Sequence, residues 1–242
     1  MAARILSWGL SDVGARLGRS PTALVKQALQ KAMDRAGVAK SPVLDGFVAC
    51  PSLADPRFME AHYLASACGV LPGMGYGSGV RVRTIDTGGA SPISMLLQAK
   101  KMVETEGCTA VAVVAGDAVS SMPSAAFLDK ADSAASLMAA SDLPEGTDVY
   151  ELPSPGIPNG YSHAAAAHMK RHPLSRNQLA MVPVLMSHQA ARHPQAMAKR
   201  PISLDSVLQA PAITPLVGQF ECARRADGAA AVLVVREDAI SL

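Results

Sequence analysis

Apolar positions along this chain alternate between strand-like and helix-like periods, and the changes come in a regular order. Residues 3–8 form a short apolar run that reads as a first strand, followed by a loop over 11–18. Ser20-Pro21 then opens a helix whose buried stripe is Leu24, Val25, Ala28, Leu29, Ala32 and Met33, ended by Gly37. Residues 43–50 are strand-like up to Pro51. A second helix is predicted from Asp55-Pro56 to about Cys68, with Met59, Tyr63, Leu64 and Ala67 on one face. Residues 73–79 are a glycine-rich loop that fits neither the Walker pattern nor the dinucleotide fingerprint.

The stretch 81–107 is the most informative. RVRTI (81–85) alternates polar and apolar residues, as a strand does. Asp86-Thr87-Gly88-Gly89 is turn chemistry, because adjacent glycines reach backbone angles that a Cβ forbids. Ser91 is the expected cap of the next helix, with Pro92 in its first turn, where a missing N–H costs nothing. Ile93, Leu96, Leu97, Met102 and Val103 keep the helical period up to Gly107. Locally this is an ordinary strand-to-helix connection. A helix start preceded by glycines also gathers free N–H groups, and so suits an anion, a polarised carbonyl or an activated nucleophile.

Residues 109–115 (TAVAVVA) are almost wholly apolar, the pattern of a strand covered on both faces. Strands and helices therefore alternate, which predicts an α/β domain on a mostly parallel sheet. Residues 118–161 break the rhythm with Ser, Ala, Pro, Asp and Gly, and read as a long functional or interaction insertion. Helices return at 161–171 and 175–193, the latter interrupted by Pro183, which should kink or tighten it. A short helix over 203–208 follows. Residues 220–222 and 229–235 are predicted closing strands, joined by the turn Ala226-Asp227-Gly228.

Composition narrows the class. A chain of 242 residues can bury a substantial core, and an aromatic content of 4% favours helix-on-sheet packing over a β-sandwich. A formal net charge of +2 with scattered signs offers no footprint for nucleic acid or an anionic membrane. Cys50, Cys68, Cys108 and Cys222 have neither CxxC nor zinc spacing, so reduced thiols are expected. With no secretory leader and no apolar run long enough for a bilayer, a cytoplasmic protein is expected.

Candidate chemistry is sparse. His163, His168 and His172 lie close together without a carboxylate at ligand spacing, which reads as a solvated helix face; His188 and His193 do not share a face. No GxSxG elbow accompanies Ser91. Cys68 and Cys108 look structural, while Cys50 and Cys222 sit near strand ends with nothing beside them to lower a thiol pKa.

Several segments together resemble the N-terminal half of a thiolase. PISLDSVLQAPAITPLVGQFECARRADGAAAVLVV (201–235) and HAAAAHMKRHPLSRNQLAMVPVLMSHQAARHPQAMAKRP (163–201) are similar to the sterol-carrier-protein type of thiolase and to lipid-transfer thiolase-like proteins. The Ser-Pro-Thr helix start near residue 21, the unit at 81–107 and VAVVAGD (111–117) fall in the expected order, so the resemblance covers nearly the whole chain. It implies a βαβαβαββ half with a mixed five-stranded sheet, helices on both faces, and an insertion over roughly 118–200. It also implies acyl-CoA thioesters as substrate or ligand, with no further cofactor and no metal, and dimerisation through this half.

The same resemblance exposes two departures. The family's nucleophilic cysteine stands in a C-A-S/T-G run at the start of the buried helix; here Gly89-Ala90-Ser91-Pro92 takes its place, so Gly89 occupies the nucleophile position. The GHPxG-type histidine and CxG-type cysteine of the second half are not found, and a C-terminal half is expected to be absent. No catalytic residue is therefore assigned. The expected substrate-binding residues are Asp86, Thr87, Gly88, Gly89 and Ser91, whose amides could hold a thioester oxygen.

Three readings follow. One is a noncatalytic acyl-CoA or lipid-binding half paired with a separate C-terminal thiolase-like chain. Another is a subunit of a retro-aldolase or acyltransferase complex that dispenses with cysteine and works with a small partner protein. The third is a remnant without chemistry. A homodimer or hetero-oligomer is expected, with no membrane span.

Overall fold

Alternation within single strands sets the layers of the molecule. The computed structural model describes residues 2–37, 44–71, 79–135 and 153–241. It divides into two units, one formed by Met1–Ser121 and Ala226–Leu242, the other by Met122–Arg225.

The first unit contains strands β1 (Ala3–Leu10), β2 (Gly46–Ala49), β3 (Arg81–Thr84) and β4 (Ala110–Ala118). Two short strands of the second unit, β5 (Ala212–Thr214) and β6 (Val217–Gly218), precede β7 (Asp227–Arg236), which returns to the first. The sheet has the order β1-β7-β4-β2-β3. Parallel pairing joins β2 to β3 and to β4, whereas β7 runs antiparallel between β4 and β1. With helices α1 (Pro21–Arg35), α2 (Glu60–Ala67) and α3 (Ser91–Glu104) between the strands, the expected βαβαβαββ order and mixed five-stranded sheet are present.

The apolar run in β4 is buried on both faces because its side chains alternate. Ala110, Ala112 and Val114 face a core shared with α1 and α2, while Val111 and Val113 face α3. All six stripe residues predicted for the first helix are buried, and Ser20 Oγ accepts the Ala23 N–H as the expected N-cap.

Several boundaries differ from the sequence reading. The second helix begins at Glu60, not near Asp55, after a left-handed Met59. Its buried side is Glu60, Ala61, Leu64 and Ala65, whereas Met59 and Tyr63 are exposed. The preceding loop is instead held by Asp117, whose carboxylate accepts Ser52 Oγ and the Leu53 and Ala54 amides, so the chain enters the helix five residues late. Residues Gln219–Glu221 form a 3-10 turn, not a strand, because Glu221 folds back to accept the Gly218 N–H. Asp227 and Gly228 are the first residues of β7, not a turn. The glycine-rich loop lies outside the described residues except for Gly79, as do positions 136–152 of the expected insertion.

In the second unit, α4 (Ser124–Ala135), α5 (Gly156–Arg171), α6 (Arg176–Arg192) and α7 (Leu204–Leu208) accompany the β5–β6 hairpin. Ser175 caps α6 in a reciprocal box with Gln178. Pro183 lies inside this helix, where its missing N–H leaves the Leu179 carbonyl without its helical donor. The fully buried apolar core of this unit is small, built on Ala180, Val184 and Val207.

Candidate functional site

The parallel strands β2, β3 and β4 end on one side of the sheet, the side where open α/β sheets usually bind ligands. Chain chemistry converges there. After β3, residues Asp86 and Thr87 lead into a 3-10 turn, Gly88–Ala90, that runs directly into α3. The five residues expected to bind substrate thus lie in one continuous turn, four of them exposed and Ser91 only 4% exposed.

The turn is held by its own hydrogen bonds. Asp86 Oδ1 accepts the Gly88 N–H at 3.0 Å, and Ser91 Oγ accepts the Thr87 N–H at 2.9 Å. Thr87 Oγ1 meets Ser94 Oγ at 2.8 Å, one helical turn into α3. The Ala90 and Ser91 amides are taken by the carbonyls of Thr87 and Gly88. Among the described residues this leaves the Gly89 N–H without an acceptor, at the positive end of α3.

Ser91 is not the helix cap that its sequence position suggested. The 3-10 turn extends the helical path backwards, so Ser91 is the first α-helical residue and its hydroxyl ties down Thr87 instead. The two glycines also differ. Gly88 has φ +58°, a conformation that favours glycine, while Gly89 needs neither a positive φ nor space: a Cβ there meets nothing within 4 Å. Neither space nor backbone conformation therefore requires glycine at position 89.

Two acids that the sequence reading passed over act, together with Asp86 of this turn, on Cys50. Asp117, at the end of β4, binds the 52–54 loop, and Glu60 starts α2 with its side chain buried. Burial raises the Glu60 carboxyl above its ordinary pKa, against the pull of the Arg57 amide that it accepts. Cys50 follows β2, and its thiol is raised first by burial and then by the negative charges of Asp86, Asp117 and Glu60. It is a poor nucleophile in this setting. Burial also raises Cys108 and Cys222, and pushes Cys68 up to about 11. The four cysteines are free thiols, and the described residues contain no activated one. The signal for Asp117 was a lone acid at a strand end, and for Glu60 an acid inside a predicted helix; each acquires meaning only once the strands are aligned.

The histidines expected on a solvated helix face are found on α5 and at its end, where the exposed His168 and His172 rings lie 4.7 Å apart. Among the described residues no group of His, Cys, Asp or Glu is placed to hold a metal, and no helix is long and apolar enough to cross a membrane.

On the far side of α3 from the sheet lies an uncovered apolar strip. Met95, Ala99, Met102 and Val103 are buried against β-strand residues, but Ile93 and Leu97, one turn apart, are 63% and 61% exposed. The single helical period named Ile93, Leu97, Met102 and Val103 but not Met95 or Ala99; the structure splits the helix into a covered and an open face.

The sequence matches no protein-family model and no curated protein. Solved structures do match. An Ltp2-ChsH2(DUF35) aldolase superposes with a TM-score of 0.74 at 20% identity, over 99% of this chain and 57% of that one. Human mitochondrial 3-ketoacyl-CoA thiolase in complex with CoA gives 0.67 at 16% identity, over 99% of this chain and 66% of that one. A monomeric SCP2-thiolase like protein type 1 from Mycobacterium smegmatis gives 0.65 at 16% identity, over 97% of this chain and 45% of that one. The chain has a thiolase-like fold, and spans 57% of the length of the first of these relatives.

Proposed function

We propose that this chain is a thiolase-fold subunit of a complex that cleaves a carbon–carbon bond in a 3-hydroxyacyl-CoA thioester by retro-aldol chemistry, with no covalent acyl-enzyme. The carrying observation is Gly89: the position that the thiolase resemblance gives to the nucleophile has room for a side chain and carries none. The likeness to an aldolase with a DUF35 component supports the same reading. In this reaction a base removes the proton of the 3-hydroxyl as the bond between C2 and C3 breaks. The electron pair moves into the thioester as an enolate, which is then protonated at C2 to leave a shorter acyl-CoA and a carbonyl product. No thiolate is required. What is required is a donor for the enolate oxygen, and the Gly89 N–H at the start of α3 is suited to that role, with Asp86, Thr87, Gly88 and Ser91 fixing the turn.

The Ile93–Leu97 face of α3 fits a second α/β half, on the same polypeptide or on another. Replacing both residues by Lys should leave the fold of the first unit unchanged by circular dichroism, because both side chains are exposed. Association with the second half should weaken by about 30- to 10³-fold, from roughly 1–2 kcal/mol of apolar burial lost per residue. Unchanged association would reject this face as the contact.

The activity is tested by incubating the complex with 3-hydroxyacyl-CoA substrates and following the carbonyl product. Cleavage by the complex, and not by this chain alone, is the expected result; no cleavage with the partner present rejects the retro-aldolase reading and leaves the noncatalytic acyl-CoA-binding one. A Gly89→Cys variant tests the helix-end environment separately. Its thiol should ionise about one unit or more below the ordinary 8.5, read from the pH dependence of iodoacetamide alkylation. An ordinary thiol pKa would show that this turn does not stabilise negative charge.

A further inference from the structure

The second unit contains a cleft of about 900 Å³ enclosed by α4, α5, α6 and the segment after β6. Its size falls within the range of sites that bury most of a small organic ligand. Phe127, Leu128, Tyr161, Val182, Met186 and Phe220 form much of its wall. These are large side chains, and five of the six are exposed: Leu128, Tyr161, Val182, Met186 and Phe220. A unit whose own buried core rests on Ala180, Val184 and Val207 thus leaves more large apolar side chains facing the cleft than it buries. Filling the cleft removes that surface from water at roughly 25 cal/mol per Å².

The charges around the cleft select among apolar ligands. Among the described residues no Lys or Arg lines it, whereas two carboxylates and one imidazole, that of His168, do. Glu221 is neutralised by Arg176, whose two guanidinium nitrogens reach its two oxygens. Asp132 has no cationic partner among the described residues; its oxygens accept Ser154 Oγ at 2.6 Å and the Gly156 N–H at 2.8 Å. Those bonds hold its carboxyl below the ordinary pKa, so it stays negative near neutral pH. An anionic headgroup would therefore meet the Asp132 charge, with no Lys or Arg among the described lining residues to balance it.

We propose that this cleft is a binding site for one neutral, largely hydrocarbon molecule, chain-like or polycyclic. The site lies wholly within Met122–Arg225, and the inference stands independently of the retro-aldolase reading.

The full chain is titrated with three fluorescent probes: diphenylhexatriene as a neutral chain, dehydroergosterol as a neutral polycycle, and cis-parinarate as an anionic chain. At least one neutral probe should bind saturably, one per chain, and at least tenfold more tightly than parinarate at pH 8. Val182→Asp and Met186→Asp change residues that are each 56% exposed, so both variants should fold, and each should weaken the neutral probe at least tenfold. Met186→Leu should retain binding. The proposal is overturned by no saturable binding of either neutral probe, by parinarate binding as tightly, or by folded Asp variants that bind unchanged. Light scattering that shows self-association abolished by Val182→Asp, with probe binding unaffected, would instead make the cleft wall a protein interface and also overturn it. If one Asp variant fails to fold, the other decides.

Discussion

Replacing Asp227 with alanine is expected to destabilise the first unit by about 3–5 kcal/mol, among the largest effects of any single substitution. Asp227 is fully buried, with 0% of its surface exposed. Its Oδ1 accepts the Ser120 N–H at 2.9 Å and Ser120 Oγ at 2.7 Å, and its Oδ2 accepts the Leu17 N–H at 2.9 Å and Ser121 Oγ at 3.0 Å. One side chain thus ties together the loop after β1, the end of β4 and the start of β7. Alanine would leave the buried Ser120 N–H and hydroxyl without their acceptor, and would also release the half-buried Leu17 N–H and the exposed Ser121 hydroxyl. Asparagine would restore the shape but turn an NH₂ group towards donors, so it should recover only part of the loss.

The same residue contributes an acid-dependent component of stability. Burial alone would raise its carboxyl, but the bonds from Ser120, Leu17 and Ser121 outweigh burial and hold the pKa below the ordinary value. A carboxylate depressed in the folded state contributes its full stability above the unfolded pKa of about 3.9, and that contribution is lost as pH falls through the folded value. Urea melts between pH 2.5 and 7 (about the range in which the carboxylate titrates) should show a steeper loss of stability below about pH 4 in the parent than in Asp227→Asn. A variant within about 0.5 kcal/mol of the parent would refute the role.

Replacing Gly9 with alanine is expected to cost about 3 kcal/mol or more, at the upper end of overpacking effects. A Cβ at this position in β1 would lie 2.2 Å from the Ala28 carbonyl oxygen and 2.5 Å from the Ala32 nitrogen. Both are backbone atoms of α1, so no rotamer change relieves the clash; the helix must move off the sheet. That helix supplies Leu24, Val25, Ala28 and Leu29 to the larger core, and Ser7 Oγ donates to the Ala32 carbonyl beside it. Gly89→Ala is the control: its Cβ meets open space, and its stability should stay within about 0.5 kcal/mol of the parent by chemical denaturation. Equal stability of the Gly9 and Gly89 variants would reject the close approach of β1 and α1.

Local periodicity carried much of this fold. The stripe Leu24 to Met33, the Ser20 cap, the doubly buried β4 run and the turn at Asp86 to Gly89 are each legible from neighbours a few residues apart, because helix and strand periods are local properties. The resemblance of whole segments supplied the βαβαβαββ order and the position of Gly89. Other features were not legible for the same physical reason. A single period marked Ile93, Leu97, Met102 and Val103 as one apolar face, yet burial depends on what lies opposite, and the sheet covers only part of it. Asp227 followed by Gly228 carries turn chemistry in sequence, but two distant segments provide its donors, so it becomes a buried anchor. Glu60 and Asp117 meet near Cys50 only after strands β2 and β4 align.

The amino-acid sequence by itself determined the alternation of strands and helices in the first unit, and that the helix start at position 89 carries no thiol. Only the tertiary structure decided that Gly89 has room for a side chain and a free N–H, that α3 keeps one apolar face open, and that the second unit encloses a cleft. These are relations between atoms distant along the chain, and no local pattern of residues encodes the distances between them.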